Sequence, residues 1–300
     1  MFCIGEVFGE DLPTALRYAS NMDAIMNYPV YFGMMDAFQL PGPQNISSLV
    51  SAMEGVNKTL PDTHSLGIFM ENHDLPRFAN TTVDPQSIFT ALAFTFVTDG
   101  IPIVYYGQEQ GFHGIADPSN REALWPSGYA NTTQVQHIAT LNTVRDWLNS
   151  SQATHNGLTF NAAAAQILDH DDKAIAIRKG PLLSILTNRG SPPVNESFAL
   201  SDSGWDKDTV LIDIFSCEHF IVGAANSFVV NYGVRGGRPV VTLPLQYLNG
   251  SGICPTLSSA ITSVSVANGR PSSGIESVTP LSLVGAMIAG VGGALGIFFL

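Results

Sequence analysis

The chain has 300 residues, of which 13% are charged and 45% hydrophobic, and its 25 acidic and 13 basic side chains give a formal net charge of -12. So acidic a chain repels polyphosphate, which argues against nucleic-acid binding and leaves neutral ligands open. The length suggests about two domains at ~100 to 200 residues each, and the three cysteines show no CxxC or Cys/His spacing of a zinc site, so no metal ligands are assigned.

Residues 1 to 150 alternate short apolar runs with longer helical patterns, as successive β-α units do. The run at Ile4-Gly5 closes on Glu6; a Gly/Asp/Pro loop and a patterned segment from Thr14 to Phe38 follow. Ser47 to Leu60 predicts a helix. Leu66 to Met70 predicts a strand running into Glu71-Asn72-His73-Asp74, and Pro85 to Thr98 a largely apolar helix. Ile101 to Tyr106 has the same form as the earlier strands and ends in Gly107-Gln108-Glu109-Gln110. After a loop from Gln108 to Thr133, the stripe Val135, Ile138, Leu141, Val144 and Leu148 predicts another helix. Short apolar runs followed by turn signals fit buried parallel strands, which present ligands at their carboxyl ends.

From about 155 to 254 the pattern changes to short runs broken by Gly, Pro and Asp: Ala174 to Ile177, Leu182 to Leu186, Val210 to Ile214, Phe228 to Asn231 and Val240 to Leu243. These predict an antiparallel β-sandwich. Asp169-His170-Asp171-Asp172 reads as a solvated turn, not a metal site. Residues 255 to 279 are rich in Ser, Thr, Gly and Pro, the composition of a stalk. Residues 280 to 300 form an uncharged apolar tail of the kind that signals attachment of a glycosylphosphatidylinositol (GPI) anchor; a retained transmembrane helix with Gly292 and Gly296 in GxxxG spacing is the alternative. Seven glycosylation sequons occur, at Asn45, Asn57, Asn80, Asn131, Asn149, Asn195 and Asn249. They point to an extracellular, membrane-anchored glycoprotein. Yet the sequence opens with no basic or long apolar leader, so Met1 is expected to be an internal or mis-assigned start. Cys3, inside an apolar run, is expected to be a buried free thiol.

Taken together, GEVF at 5–8, FMENHD at 69–74, DGIPIVYYGQEQ at 99–110 and DPSNREALW at 117–125 resemble the second half of a fungal secreted alpha-amylase of glycoside hydrolase family 13, over roughly Cys3 to Cys254. The resemblance implies the C-terminal half of a TIM (β/α)8 barrel, strands five to eight, in residues 1 to 150, and a β-sandwich domain after it. Half a barrel leaves open strand edges, so the chain is expected to fold poorly by itself. The implied activity is retaining hydrolysis of alpha-1,4-glucan, with starch, glycogen or cell-wall alpha-glucan as partner. Transfer to a second glucan, or binding without catalysis on a surface glycoprotein, are the alternatives.

For the site, the resemblance implies that Glu6 is the general acid, holding a proton near neutrality through partial burial, and that Asp74 is the carboxylate that grips the sugar hydroxyls. It implies that His73 is a neighbouring donor, that Asp117 and Arg121 clamp more distant glucose units, and that Cys217 pairs with Cys254. Taken one at a time, Glu6 also reads as a solvated strand-end residue, Asp74 as a helix or turn cap, His73 as a structural histidine, and Arg121 as the salt-bridge partner of Glu122 or Asp117. The family's nucleophile belongs to a fourth strand that has no counterpart here. The chain by itself is therefore expected to be inactive, and the family's calcium ligands are expected mainly in the missing half.

Overall fold

The computed structural model describes residues 1–150, 153–255 and 257. The expected anchor tail, and all but two residues of the expected stalk, lie outside the described residues, among which no helix is long and apolar enough to cross a membrane.

Four short strands, β1 (Ile4–Gly5), β2 (Ala24–Ile25), β3 (Gly67–Phe69) and β4 (Ile101–Ile103), lie parallel in chain order. A parallel bridge from Met26 to Gly67 joins the two pairs. Hydrogen bonds from the Met26 amide to the Gly5 carbonyl (2.8 Å), from Asn27 to Gly67 (2.9 Å) and from Ile101 to Leu66 (2.8 Å) carry the ladder across all four. Helices α1 (Leu12–Ala19), α2 (Tyr28–Phe38), α3 (Ile46–Thr59), α4 (Phe78–Thr81), α5 (Pro85–Val97) and α6 (Thr133–Ser150) alternate with them, the β/α arrangement of a TIM barrel. Four of these helices start where the sequence places an Asx cap: Asp11, Asn27, Asn45 and Asp84 each accept a backbone N–H from the first turn. Gly67 sits where Ile4, Met26 and Ile103 converge, and a Cβ there would stand 2.8–2.9 Å from all three side chains.

The patterned segment Thr14 to Phe38 is not one element: it resolves into the end of α1, the strand β2 and helix α2. Cys3 is exposed, not buried, because β1 pairs with β2 on one side only and the described residues leave its other edge open.

The second half holds β5 (Gln166–His170), β6 (Ala174–Lys179), β7 (Leu182–Thr187), β8 (Ser197–Leu200), β9 (Val210–Asp213), β10 (His219–Ile221), β11 (Phe228–Asn231) and β12 (Val240–Pro244). Six of them make an antiparallel sheet in the order β10-β9-β12-β7-β6-β5, and β11 pairs with β8 as a second layer. Alternate residues of β6 and β7 enter different cores, which explains why both strands are buried throughout. Ala174, Ala176, Leu183 and Ile185 pack with Phe198, Leu200, Phe228 and Val230 inside the sandwich. Ile175, Ile177, Leu182 and Leu186 join the helices of the first half. The expected turn at Asp169 to Asp172 is the β5–β6 connection, with Asp169 and His170 ending β5; the Asp171 carboxylate accepts the Lys173 and Ala174 amides at 2.7 Å.

Cys217 and Cys254 form a disulfide with a Cα–Cα distance of 5.6 Å across 37 residues, a loop whose closure is worth ~4 kcal/mol in the chain-entropy account. All seven sequon asparagines are exposed.

A candidate active site at the carboxyl ends of the parallel strands

Glu6 follows β1, Tyr28 opens α2 just after β2, and Asn72-His73-Asp74 follows β3. The Tyr28 hydroxyl donates to Glu6 Oε1 at 2.5 Å, and the Asn72 amide donates to the same oxygen at 3.3 Å and to the Tyr28 hydroxyl at 2.6 Å. The other end of Asn72 accepts the Asp74 backbone N–H at 3.0 Å, so one buried amide joins both predicted carboxylate positions. Tyr28 is fully buried under Phe8 and Phe69, with ring centroids 5.1 and 5.0 Å away. Burial first, and the Glu6 carboxylate second, push its hydroxyl well above the usual range, so it stays a donor. The partial burial expected of Glu6 is not found: the residue is exposed because β1 is an edge strand, and two hydrogen bonds rather than apolar cover hold it.

On the other side, Arg121 draws the remaining predicted residues together. Its guanidinium lies 3.2 Å from Asp74 Oδ1 and 3.7 Å from Asp117 Oδ1, and its Nε donates to the His73 carbonyl at 3.1 Å. The His73 ring is 3.4 Å from the same Asp74 oxygen and half exposed, so it is not a packed structural histidine. Asp74 caps no helix, since α4 starts after Arg77. The salt bridge anticipated for Arg121 forms with Asp117, while Glu122 serves Arg77 instead. Buried Asn120 fastens the loop by donating to the His73 and Leu75 carbonyls, both at 2.9 Å.

Beneath this cluster lies a layer that sequence reading did not single out. Arg77 is fully buried, pairs with Glu71 (3.1 Å) and Glu122 (3.3 Å), donates to the Tyr106 carbonyl at 2.7 Å and stacks 4.0 Å above the Tyr105 ring. It thereby ties the ends of β3 and β4 to the loop that carries Arg121. The other oxygen of Glu71 accepts the Phe78 amide at 2.9 Å. Burial raises the Glu71 carboxyl to about 7 in spite of Arg77. The available signal was Glu71 closing the apolar run of β3 with Arg77 six residues on, and Asn27-Tyr28-Pro29 as a cap-and-Pro helix start. Among the described residues no group of three or more His, Cys, Asp or Glu side chains is placed to hold a metal ion.

The sequence matches the family described as alpha amylase, catalytic domain, over residues 1–179, and alpha-amylase, domain C, over residues 167–262. It is 36% identical over 259 residues to Alpha-amylase 1 of Schwanniomyces occidentalis, covering 85% of this chain and 49% of that protein. With Alpha-amylase 1 of Lipomyces kononenkoae the identity is 48% over 147 residues, 49% of this chain and 23% of that protein. An alpha-amylase structure from Malbranchea cinnamomea superposes with a TM-score of 0.77 at 35% identity, covering 85% of this chain and 53% of that one. The chain spans about half the length of the first of these relatives, or less of the second. With its catalytic-domain match extending over more than half of its length, the chain belongs to the alpha-amylase family.

Proposed function

We propose that this chain carries the acid and sugar-gripping part of a retaining alpha-1,4-glucan hydrolase. The observation behind it is the joining of Glu6 to Asp74 through Asn72, with His73 and Arg121 around the second carboxylate. In that reading Tyr28 and Asn72 occupy Glu6 Oε1, which leaves Oε2 to carry the proton delivered to the departing glycosidic oxygen. Asp74, held by Arg121, grips the hydroxyls of the distorted sugar, His73 donates to the same ring, and Asp117 with Arg121 meets glucose units further along. Double displacement also needs a nucleophilic carboxylate about 5 to 5.5 Å from the acid. The carboxylate tied to Glu6 through Asn72 is Asp74, which this reading already uses to grip hydroxyls; a second reading, for the chain taken alone, is that it binds glucan without turning it over.

The extracellular, GPI-anchored setting belongs to the same proposal; the exposed sequons and the disulfide support secretion. Calorimetry with acarbose tests the binding site: affinity in the parent chain and its loss in Asp74→Ala are expected, and equal affinity in both sinks the proposal. Labelled maltoheptaose, given to the whole protein, separates hydrolysis from transfer, since only transfer yields products longer than the substrate.

A further inference from the structure

The two basic residues that end β6 lie on opposite faces of the strand and meet different fates. Lys179 turns toward the first half and reaches the Asp99 carboxylate. Arg178 lies on the side of Ala174 and Ala176, which pack inside the sandwich, and it is only 3% exposed. Its Nε, Nη1 and Nη2 are all buried, and none has a hydrogen-bond partner. The Trp205 ring covers the guanidinium, with Cζ 5.2 Å from the ring centroid, and the indole Nε1 is also buried without an acceptor.

Four donor nitrogens thus meet at one place with nothing to accept from them. Burial lowers the Arg178 guanidinium to about 10 against the opposing pull of Asp202, so it is a cation at neutral pH. Asp202 does not cancel that charge by contact: it is exposed, it makes no hydrogen bond to the guanidinium, and its Oδ1 accepts the Gly204 amide at 2.8 Å. His155, with its ring centroid 4.4 Å from that of Trp205, is held neutral by burial and by Arg178 and brings no compensating charge. Gly204 brings the guanidinium close to solvent. A Cβ built there would stand 3.2 Å from Cζ, 3.3 Å from Nη2 and 3.5 Å from Nε, and Gly204 itself is exposed, so this edge of Arg178 lies just under the surface.

A buried donor without a partner costs ~1 to 3 kcal/mol, and a charged one more, and native proteins leave few such groups. Water answers the need poorly, because it brings two hydrogens of its own to a place crowded with donors and leaves the charge in place. A carboxylate only accepts, and its two oxygens match the parallel N–H groups of Nε and Nη2. We propose that Arg178 and Trp205 form a site in the sandwich for a small free carboxylate, of the size of formate or acetate, that enters beside Gly204. It shares no residue with the strand-end cluster and is independent of the function proposed there. Its role is to fasten the turn at 202–205 and the His155–Leu158 bridge to β6.

The test is thermal unfolding of the full chain with sodium chloride exchanged for sodium formate at constant ionic strength. Formate is expected to raise Tm by a few degrees and to saturate, as a ligand of the folded state does. Arg178→Met should abolish the rise, and in chloride it should be at least as stable as the parent, since it removes a buried cation that has no partner. Trp205→Phe keeps a ring over the guanidinium and deletes the indole N–H. It should raise the half-saturating formate concentration up to about tenfold, and it decides the matter if Arg178→Met does not fold. No rise in the parent, the same rise in Arg178→Met, or an unchanged half-saturating concentration in Trp205→Phe overturns the site. A rise confined to Asp202→Asn makes Asp202 the acceptor in the parent and also overturns it.

Discussion

Asn72 donates to the Tyr28 hydroxyl at 2.6 Å, and that hydroxyl donates to Glu6 at 2.5 Å, so two buried side chains from successive strand ends hold one exposed carboxylate. Removing the hydroxyl leaves the Asn72 amide short of an acceptor in a buried site and Glu6 short of its shorter hydrogen bond. Tyr28→Phe is therefore expected to cost about 1 to 3 kcal/mol, read as a lower urea midpoint at unchanged slope. It should also weaken acarbose binding several-fold, because Glu6 loses its orientation. Unchanged stability and affinity would mean that the relay holds nothing.

Glu71 sets a pH dependence whose sign follows from its burial. Its carboxyl is raised from 4.5 to about 7. Between those values the folded chain keeps the proton and the unfolded chain has lost it. The stability from this group is thus fully present below about pH 4.5 and is lost as pH rises through 7. The loss is on the order of 3 kcal/mol. Urea midpoints at pH 5 and pH 7.5 check it: the fall with pH attributable to Glu71 should vanish in Glu71→Gln, and an identical difference in both proteins would assign it elsewhere.

His137 acts with the opposite sign in an overlapping window. Burial lowers it from 6.5 to about 4, so below pH 6.5 the unfolded chain takes up a proton that the folded chain refuses. Stability is lost on acidification from 6.5 to 4, and His155, also lowered to about 4 by burial and by Arg178, adds to the loss. His137→Gln, which keeps a donor toward the Phe89 carbonyl, should shrink the acid-side fall in Tm and leave the neutral Tm within a few degrees.

How far all this was legible varies with how local the cause is. Leu66 to Met70, Ile101 and the stripe from Val135 to Leu148 announce their elements, because burial on one face or throughout writes its period into consecutive residues. Ala24–Ile25 is too short to carry a period, and it vanished into the pattern around it. Ser197–Leu200 does alternate between exposed and buried, yet at four residues beside Pro and Asn it is not among the runs singled out from the sequence. At the site, Asp74 and Arg121 stand out by motif, but the pairing of Arg77 with both Glu71 and Glu122 spans up to 45 residues and belongs to the tertiary fold. Exposure also misled: Cys3 and Glu6 sit in an apolar run, and neither is buried, because the covering of an edge strand is decided by its neighbours.

Where the two halves meet, Lys179 of β6 reaches the Asp99 carboxylate and the Ala163 carbonyl, the latter at 2.7 Å, and is almost fully buried. Asp99 also accepts the Ala165 amide at 3.0 Å and the Thr63 hydroxyl at 3.2 Å, so one carboxylate binds the end of the α5–β4 turn to the start of the sandwich. Lys179→Met keeps much of the volume but strands a buried negative charge, at about 3 to 5 kcal/mol. Asp99→Asn in the same chain removes that charge and should recover much of the loss. Chemical denaturation of the two single variants and the double variant measures the coupling directly. A double variant no more stable than Lys179→Met would show that the loss does not come from a stranded Asp99 charge, and the pair would not be what joins the halves.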